Sequence, residues 1–346
     1  MSWVELIDRA RSGDETAFVA LVGPHRRELH LHCYRMLGSV SDADDLLQET
    51  LIAAWRGLDG FAGRSSLRTW LYRIATNLCL NAIRTSKRRP QPEPVPPFDP
   101  PTPSRRGDVT WLQPYPDAWL THIPDSSPGP AELYQAREGI ELAFIAALQR
   151  LPPRQTAAIV LCDVLGFSVA EIAAMLLARP TAVKGLLQRA RATLAARRSG
   201  SGQARSDRGV GNERELAHRF AEAMTAADVD AIVALLTDDA WLAMPPAPHE
   251  YHGPLSIAAF FRASTAVRPR RGLQLVATRA NSQPAFACYH AGDGAPAERT
   301  AGVIVLGLSG QRICSITRFL DPRVSLTFMA AAEAPNWAYP LSRSAS

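Results

Sequence analysis

The chain has 346 residues, enough for two or three domains, and its 47% apolar content supports packed cores and excludes a polypeptide disordered throughout. Lys and Arg total 38 against 33 Asp and Glu, a net charge of +5, so the placement of the bases counts for more than their excess. Cys33, Cys79, Cys162, Cys288 and Cys314 form no C-x-x-C pair, which argues against a zinc ribbon or disulfide framework and for free thiols in a reducing compartment. Met1 to Ala10 carries Glu5 and Asp8 in place of a basic leader, and no stretch approaches about 18 uninterrupted apolar residues. The expectation is a soluble, cytoplasmic protein that needs no cofactor and no metal.

In chain order, the first block, 1–89, is helical by period. Pro24 sits where a helix can begin, Leu29, Cys33, Met36 and Leu37 recur at helical spacing, and Gly38 closes the run. Ser41, with Asp44 three residues on, predicts the next N-cap, followed by a stripe of Leu47, Leu51, Ala54 and Leu58. A third helix is expected from Ser65 or Ser66, burying Leu67, Leu71, Ile74 and Leu78. Three amphipathic helices with short connections make an all-α bundle.

The second and third of these helices carry opposite charge. Asp42, Asp44, Asp45 and Glu49, with Gln48, crowd the start of the second. Complementarity to the helix dipole, at about 0.3–1 kcal/mol per carboxylate, accounts for one or two of them. The others fit docking to a basic protein surface, although N-terminal helix electrostatics alone would give a similar composition. Gly60 to Pro92, in contrast, holds no acid and seven bases: Arg64, Arg68, Arg73, Arg84, Lys87, Arg88 and Arg89. Trp70, Arg73, Asn77, Asn81 and Arg84 fall on one stripe beside the apolar one. Arginine finds phosphate, asparagine reads base edges and tryptophan stacks on an unpaired base, so this stripe is a candidate nucleic-acid face. The charge run by itself would equally suit a solvated helix.

Thirteen of the 27 prolines fall between Pro90 and Pro130 in a segment without helical or alternating period, which predicts a semi-extended strap over 90–130. The block 131–198 reads as an all-α helix-turn-helix. Pro152-Pro153 stops one helix, Leu165-Gly166-Phe167 turns the chain, Ser168 and Glu171 form the capping box of a short helix, and a second helix follows from Pro180. No acid follows Glu171 in the block, and Lys184, Arg189 and Arg191 lie on that last helix, as in a helix that enters a major groove. Residues 199–211, rich in Gly, Ser and Arg, read as a flexible hinge.

The run from Ser41 to Arg84 resembles region 2 of the extracytoplasmic-function (ECF) sigma factors, the smallest class of the sigma-70 family, and Leu151 to Leu194 resembles their region 4. The resemblance implies a non-catalytic subunit that binds RNA polymerase core, at its clamp and flap, and directs it to promoter DNA. On that reading Asp44, Asp45, Gln48, Glu49 and Trp55 would face the clamp coiled coil. Arg64, Ser65, Arg68, Trp70, Arg73, Asn77, Asn81 and Arg84 would capture the melted −10 element. Thr181, Lys184, Gln188, Arg189 and Arg191 would read the −35 element, and the strap would pass through the active cleft toward the RNA exit channel. One departure concerns the turn: where the family usually has a Gly and a Ser or Thr cap, this chain has Leu177 and Arg179. A left-handed leucine costs about 1 kcal/mol, so the turn is expected to be built differently.

In the block 212–330, helical patterns at Glu213 to Ala226, Asp230 to Leu236 and Pro254 to Arg262 precede strand patterns at Leu273 to Arg279, Ala285 to His290, Ala301 to Leu308 and Arg312 to Leu320. This order predicts an α+β cone with a curved antiparallel sheet, and 331–346 reads as a tail. The stretch from Trp241 to Phe261 resembles the SnoaL-like, nuclear-transport-factor-like family, which occurs fused to some of these sigma factors. The resemblance implies a pocket, with Trp241, Met244, Tyr251, His252 and Tyr289 as candidate lining and His249, His252 and His290 as possible bases. Asp238 and Asp239 read as a helix end and Asp293 lies in a Gly-rich loop, so no carboxylate is clearly placed to pair with a histidine. The expected role is regulatory and not enzymatic: the domain would tune in cis the access of the sigma regions to polymerase, with a small apolar ligand in its pocket and in place of a separate anti-sigma factor. The competing reading is a DNA-targeted enzyme whose pocket transforms a small apolar metabolite.

Overall fold

A computed structural model of the chain describes residues 3–86, 98–106, 112–120, 139–200, 210–266, 272–290, 292 and 299–333. They group into two compact units, one drawn from 1–91 and 121–196, the other from 92–120 and 197–346. The bases Lys87, Arg88 and Arg89, the rest of the strap, the start of the 131–198 block, the centre of the hinge, Asp293 and the end of the tail lie outside the described residues.

The described part of the first unit is helical. Two short helices, α1 (Trp3–Arg11) and α2 (Glu15–Val22), precede the expected bundle of α3 (Arg26–Leu37), α4 (Val40–Gly57) and α5 (Leu67–Ser86). Gly38 ends α3 at φ 74, where glycine carries no Cβ penalty. The cap of α4 is Ser39, not Ser41. Once Gly38 has reversed the chain, Ser39 is the first extended residue, and its Oγ accepts from the Asp42 N–H. Ser66 does the same for Thr69 at the start of α5. The core stripe of α5 is Leu67, Leu71, Tyr72, Ala75 and Cys79. Ile74 and Leu78, expected within it, are only half-buried, because they lie about 60° round the helix and line a groove against α4.

The same unit continues with α6 (Leu142–Gln149), α7 (Pro153–Ile159) running into a π turn (Val160–Val164), α8 (Val169–Met175) and α9 (Pro180–Gly200). The capping box of α8 is complete: Ser168 Oγ accepts from the Glu171 N–H, and the Glu171 carboxylate accepts from the Ser168 N–H.

The second unit is α+β. Helices α10 (Val210–Ala226), α11 (Val229–Ala234), α12 (Pro254–Ala266) and α13 (Pro322–Glu333) pack on a seven-stranded sheet of β1 (Arg105–Arg106), β2 (Leu236–Met244), β3 (Ala247–His252), β4 (Leu273–Ala280), β5 (Gln283–His290), β6 (Thr300–Ser309) and β7 (Arg312–Phe319). The strand order is β1-β3-β2-β7-β6-β5-β4. Strands β4 to β7 were legible as period-two runs. Strands β2 and β3 and helix α13 were not: the exposed Asp238 and Asp239, read as a helix end, interrupt the alternation inside β2. The sheet is mixed and not antiparallel throughout, because β2 runs parallel to β7, with Leu242 opposite Ile316. The core on its inner face joins Phe220, Leu242, Tyr251, Phe260, Phe286 and Ile304. Near the start of β6, Gly302 has φ +96, and a Cβ there would fall 1.9 Å from the Phe319 carbonyl oxygen.

The described parts of the strap lie on this unit. β1 adds an edge strand to β3, with Arg105 opposite Glu250 and Arg106 opposite His249. Phe98 packs with its ring centre 5.4 Å from that of Phe260, and the Tyr251 hydroxyl donates to the Pro101 carbonyl at 2.9 Å. Further on, the Tyr115 N–H donates to Asn281 Oδ1 at 2.8 Å, and the Asp117 carboxylate accepts from the Ser282 N–H.

At the centre of the first unit His32 is fully buried, its Nε2 2.9 Å from Thr76 Oγ1 and its ring 5.0 Å from that of Tyr72. Burial, with Arg35 and Arg68 nearby, holds this imidazole down at about 3. The unfolded chain takes up the proton near pH 6.5, the folded one only near 3. The contribution is therefore whole above pH 6.5 and is lost as pH falls toward 3, by about 2 kcal/mol at pH 5. Urea midpoints at pH 7 and 5, followed by tryptophan fluorescence, should fall further apart in the wild type than in His32→Gln.

Candidate nucleic-acid interface

Helices α4 and α5 leave between them a groove of about 410 Å³, lined by Ala53, Gly57, Trp70, Arg73, Ile74, Asn77, Leu78 and Asn81. Trp70, Arg73, Asn77 and Asn81 come from the stripe singled out in the sequence. Gly57 leaves ordinary contact distance at the ring, since a Cβ there would stand 3.5 Å from Trp70. The indole is set by Phe61, 5.0 Å away between ring centres, and Phe61 is buried. Helix α1 pins the loop behind it: the Arg11 guanidinium donates to the carbonyls of Phe61 at 2.6 Å and Leu58 at 3.4 Å. An apolar floor, an aromatic wall and two amide side chains can stack one base and bond to its edge. Arg64, Ser65, Arg73 and Arg84 are exposed, where phosphates can reach them.

Arg68 is placed differently. Its Nε donates to Glu28 Oε2 at 3.0 Å, and its guanidinium carbon stands 4.9 Å from the centre of the Tyr72 ring and 4.7 Å from that of Phe167. Burial by itself would raise the Glu28 carboxyl, but His25 and Arg68 beside it hold it below the usual range. Two further contacts join the same elements: Thr69 Oγ1 donates to Glu171 at 3.4 Å, and Asn77 Nδ2 donates to the Arg73 carbonyl at 2.9 Å and the Met175 carbonyl at 3.4 Å. The first helix of the helix-turn-helix and its preceding turn thus lie against α5, and Arg68 and Asn77 are engaged inside the unit.

On α9, Val183, Leu187 and Ala190 are buried, while Thr181, Lys184, Gln188, Arg189 and Arg191 are exposed. Thr181, Lys184, Gln188 and Arg191 follow one another at helical steps and share a face. Arg191 is held in a fork by Asp163, Nε to Oδ2 at 3.0 Å and Nη2 to Oδ1 at 2.6 Å. The turn before α9 corrects the sequence reading. Leu177 does take the left-handed conformation, at φ 49, with its side chain 76% exposed. The strain is held by bonds on either side: the Ala178 N–H donates to the Ala173 carbonyl at 2.9 Å, and Arg154 donates to the Leu176 carbonyl at 2.7 Å.

Asp44, Asp45, Gln48 and Glu49 are exposed along α4. Trp55 is half-buried instead, edge-on to Phe18 of α2 at 4.9 Å. In the second unit the five expected pocket residues do not line one cavity. Met244 and Tyr251 are buried on the inner face, but Trp241 and His252 are register partners one residue out of phase with them, on the other face. Without β2 and β3 recognised, their phase was invisible. Tyr289 is half-buried at an irregularity of β5, and His290 is exposed. A carboxylate unnoticed in the sequence, Glu250, stands 3.2 Å from His252 Nε2, at the exposed edge beside the strap.

Known families and relatives align with this geometry. The Sigma-70 region 2 family matches residues 21–89, Sigma-70 region 4 matches 141–194 and the SnoaL-like domain matches 217–325. Two sigma-70 modules followed by a SnoaL-like domain define the class, a sigma-70-type transcription initiation factor. The ECF RNA polymerase sigma factor SigG of Mycobacterium tuberculosis is 40% identical over 315 residues, covering 90% of this chain and 82% of SigG. SigM of the same species is 34% identical over 191 residues, covering 55% of this chain and 82% of SigM. The crystal structure of the M. tuberculosis ECF sigma factor SigJ has the same fold, with a TM-score of 0.53 at 23% identity, covering 86% of this chain and 95% of SigJ. The chain belongs to the ECF RNA polymerase sigma factors, and as such it directs transcription initiation.

Because Leu177 buries little and only its backbone is strained, Leu177→Gly should raise the unfolding free energy of the first unit by up to about 1 kcal/mol and so raise its denaturation midpoint. Chemical denaturation of the two chains side by side checks this, and an unchanged or lower midpoint would refute it.

Proposed function

We propose that this sigma factor divides promoter recognition between its two helical modules. The α4–α5 groove takes an unpaired base of the melted −10 element. Trp70 stacks on it, Asn77 and Asn81 bond to its edge, and Arg64, Ser65, Arg73 and Arg84 hold the flanking phosphates. Binding single strand in preference to duplex is what keeps a promoter open. The observation that carries this reading is the convergence of one indole and two amides on one base-sized groove. Helix α9 enters the major groove at −35 with Thr181, Lys184, Gln188, Arg189 and Arg191, the last after release from Asp163. Exposed carboxylates of α4 meet a basic surface of the polymerase clamp, and region 4 meets the flap. Arg68 and Asn77 become available when the helix-turn-helix leaves α5, which core binding brings about.

The second unit acts in cis and in the cytoplasm, without enzymatic turnover and in place of a separate anti-sigma protein. Its means is the strap. A linker that must thread the polymerase cleft is held on β3, Phe260 and Tyr251, so docking of the strap competes with assembly. A pocket that turns over a metabolite is not favoured, since the described histidines of this unit with a carboxylate partner, His218 with Glu222 and His252 with Glu250, are both exposed.

Two measurements test the scheme. Trp70→Ala should abolish permanganate-reactive promoter opening while leaving the affinity for polymerase core within about twofold, and equal loss of both would remove the assigned role. Tyr251→Phe deletes one strap hydrogen bond, worth about 1 kcal/mol, and should raise promoter-specific run-off transcript up to about fivefold. An unchanged or lower yield would count against competition for the strap.

A further inference from the structure

Inside the second unit the buried cation Arg318 lacks a counterpart among the described residues. Strand β7 places Ile316 and Arg318 on the same face, and Ile316 belongs to the inner apolar core. Arg318 stands opposite Ile304 of β6, also of that core. On its other side the β2–β7 register pairs Leu242 with Ile316 and Ala243 with Thr317, which brings the buried Met244 beside Arg318. Arg318 is 9% exposed, its Nε is buried without an acceptor, and among the described residues no hydrogen bond or ion pair reaches its guanidinium. Three exposed arginines of the same unit are ion-paired, Arg262 with Asp230, Arg279 with Asp117 and Glu213, and Arg323 with Asp321, whereas the buried Arg318 is not. Pairing gains least at the surface and most in the interior, so the arrangement is the reverse of what stability alone would select.

A second nitrogen lies nearby in the same condition. His249, half-buried itself, is two residues from Tyr251 on β3 in the irregularity between Glu250, opposite Ala243, and Ala247, opposite Met244, and its Nδ1 is buried without a partner. Since β3 turns back from β2 at Met244, which pairs with Ala247, His249 and Arg318 flank the end of β2, roughly two strand spacings or 10 Å apart. The surroundings are apolar: Met244, Ile304 and Cys288. A guanidinium fork takes both oxygens of a carboxylate, and a neutral imidazole adds one N–H. A phosphate would leave oxygens unsatisfied against such walls. We propose that Arg318, assisted by His249, anchors the carboxylate of a small apolar acid bound against the inner face of this sheet. Binding of the acid stands independently of whether the domain regulates initiation.

The test uses the full chain, titrated by calorimetry with sodium octanoate, with octanamide as its neutral counterpart and with inorganic phosphate. Octanoate should bind about tenfold or more tightly than octanamide, and phosphate should bind weaker than either. Arg318→Met preserves length and apolar contact, and it should abolish the preference for acid over amide. His249→Phe should weaken octanoate and leave octanamide unchanged. Arg318→Lys retains the charge and part of the preference, and it replaces the Met variant if that chain does not fold. Equal affinity for acid and amide, a preference that survives Arg318→Met, tighter binding of phosphate, or no octanoate binding up to about 10 mM would each overturn the proposal.

Discussion

The Arg68 guanidinium, bonded to Glu28 and lying over the rings of Tyr72 and Phe167, is the interaction on which the arrangement of the first unit turns. It joins three parts of the sequence: α3 through Glu28, α5 through Tyr72, and the turn of the helix-turn-helix through Phe167. A cation–π contact contributes about 0.5–2 kcal/mol depending on desolvation, and a charge-assisted hydrogen bond a similar amount. Contacts of this size join the two modules in this structure and are small beside the energy of a large protein interface. Arg68 belongs to the face assigned to the −10 element, so the residue that closes the unit is one that nucleic acid would claim.

The same economy appears at Arg191, which Asp163 holds in a fork at the edge of the face assigned to −35. Salt-dependent affinity for random DNA scales with the number of phosphates neutralised. This chain has a net charge of only +5 and keeps two of the arginines proposed to meet DNA, Arg68 and Arg191, on internal carboxylates, which limits the number of phosphates they can neutralise while so held. The Arg191–Asp163 pair is largely exposed and contributes little to stability, so breaking it costs little. Specificity then resides in the assembly, which is the physical basis for separating a sigma factor from the polymerase it directs.

What could be read in the sequence was what short-range rules determine. Gly38 in its left-handed cap, the Ser168–Glu171 box and the period-two runs of β4 to β7 each depend on a few neighbouring residues, and each stands where those residues indicated. The stripe of Trp70, Arg73, Asn77 and Asn81 was legible for the same reason, since a helix fixes which side chains share a face. The groove itself was not, because it needs Gly57 and Ala53 from α4 and the clamp of Arg11 on the Phe61 loop, contacts across tens of residues. Leu177 shows a rule giving way: about 1 kcal/mol of strain deters a left-handed leucine only where nothing else closes the turn, and here flanking hydrogen bonds do. Trp241 and His252 were misplaced because a one-residue change of phase moves a strand residue to the opposite face, and the acidic interruption at Asp238 and Asp239 concealed the phase of β2.

The strap brings the two levels together. In the described residues of the strap the pair Arg105–Arg106 is a strand while Asp117–Trp119 forms a 3-10 turn, and extended chain is what an exposed strand edge can pair with. β3 supplies that edge, and β1 covers it with only two residues, beside the ring packing of Phe98 and the single hydrogen bond from Tyr251. Attachment through several small contacts can be undone stepwise, in contrast to a single large hydrophobic interface, whose release would require opening a core. Tyr251 belongs to the inner apolar core and bonds to the strap at once, and it neighbours Leu242, two residues before the Met244 that lies against Arg318. Whatever occupies the inner face near Arg318 therefore bears, through one rung of β2, on the residue that holds the strap, and the segment linking the two promoter-reading modules is coupled by packing to the interior of the third domain.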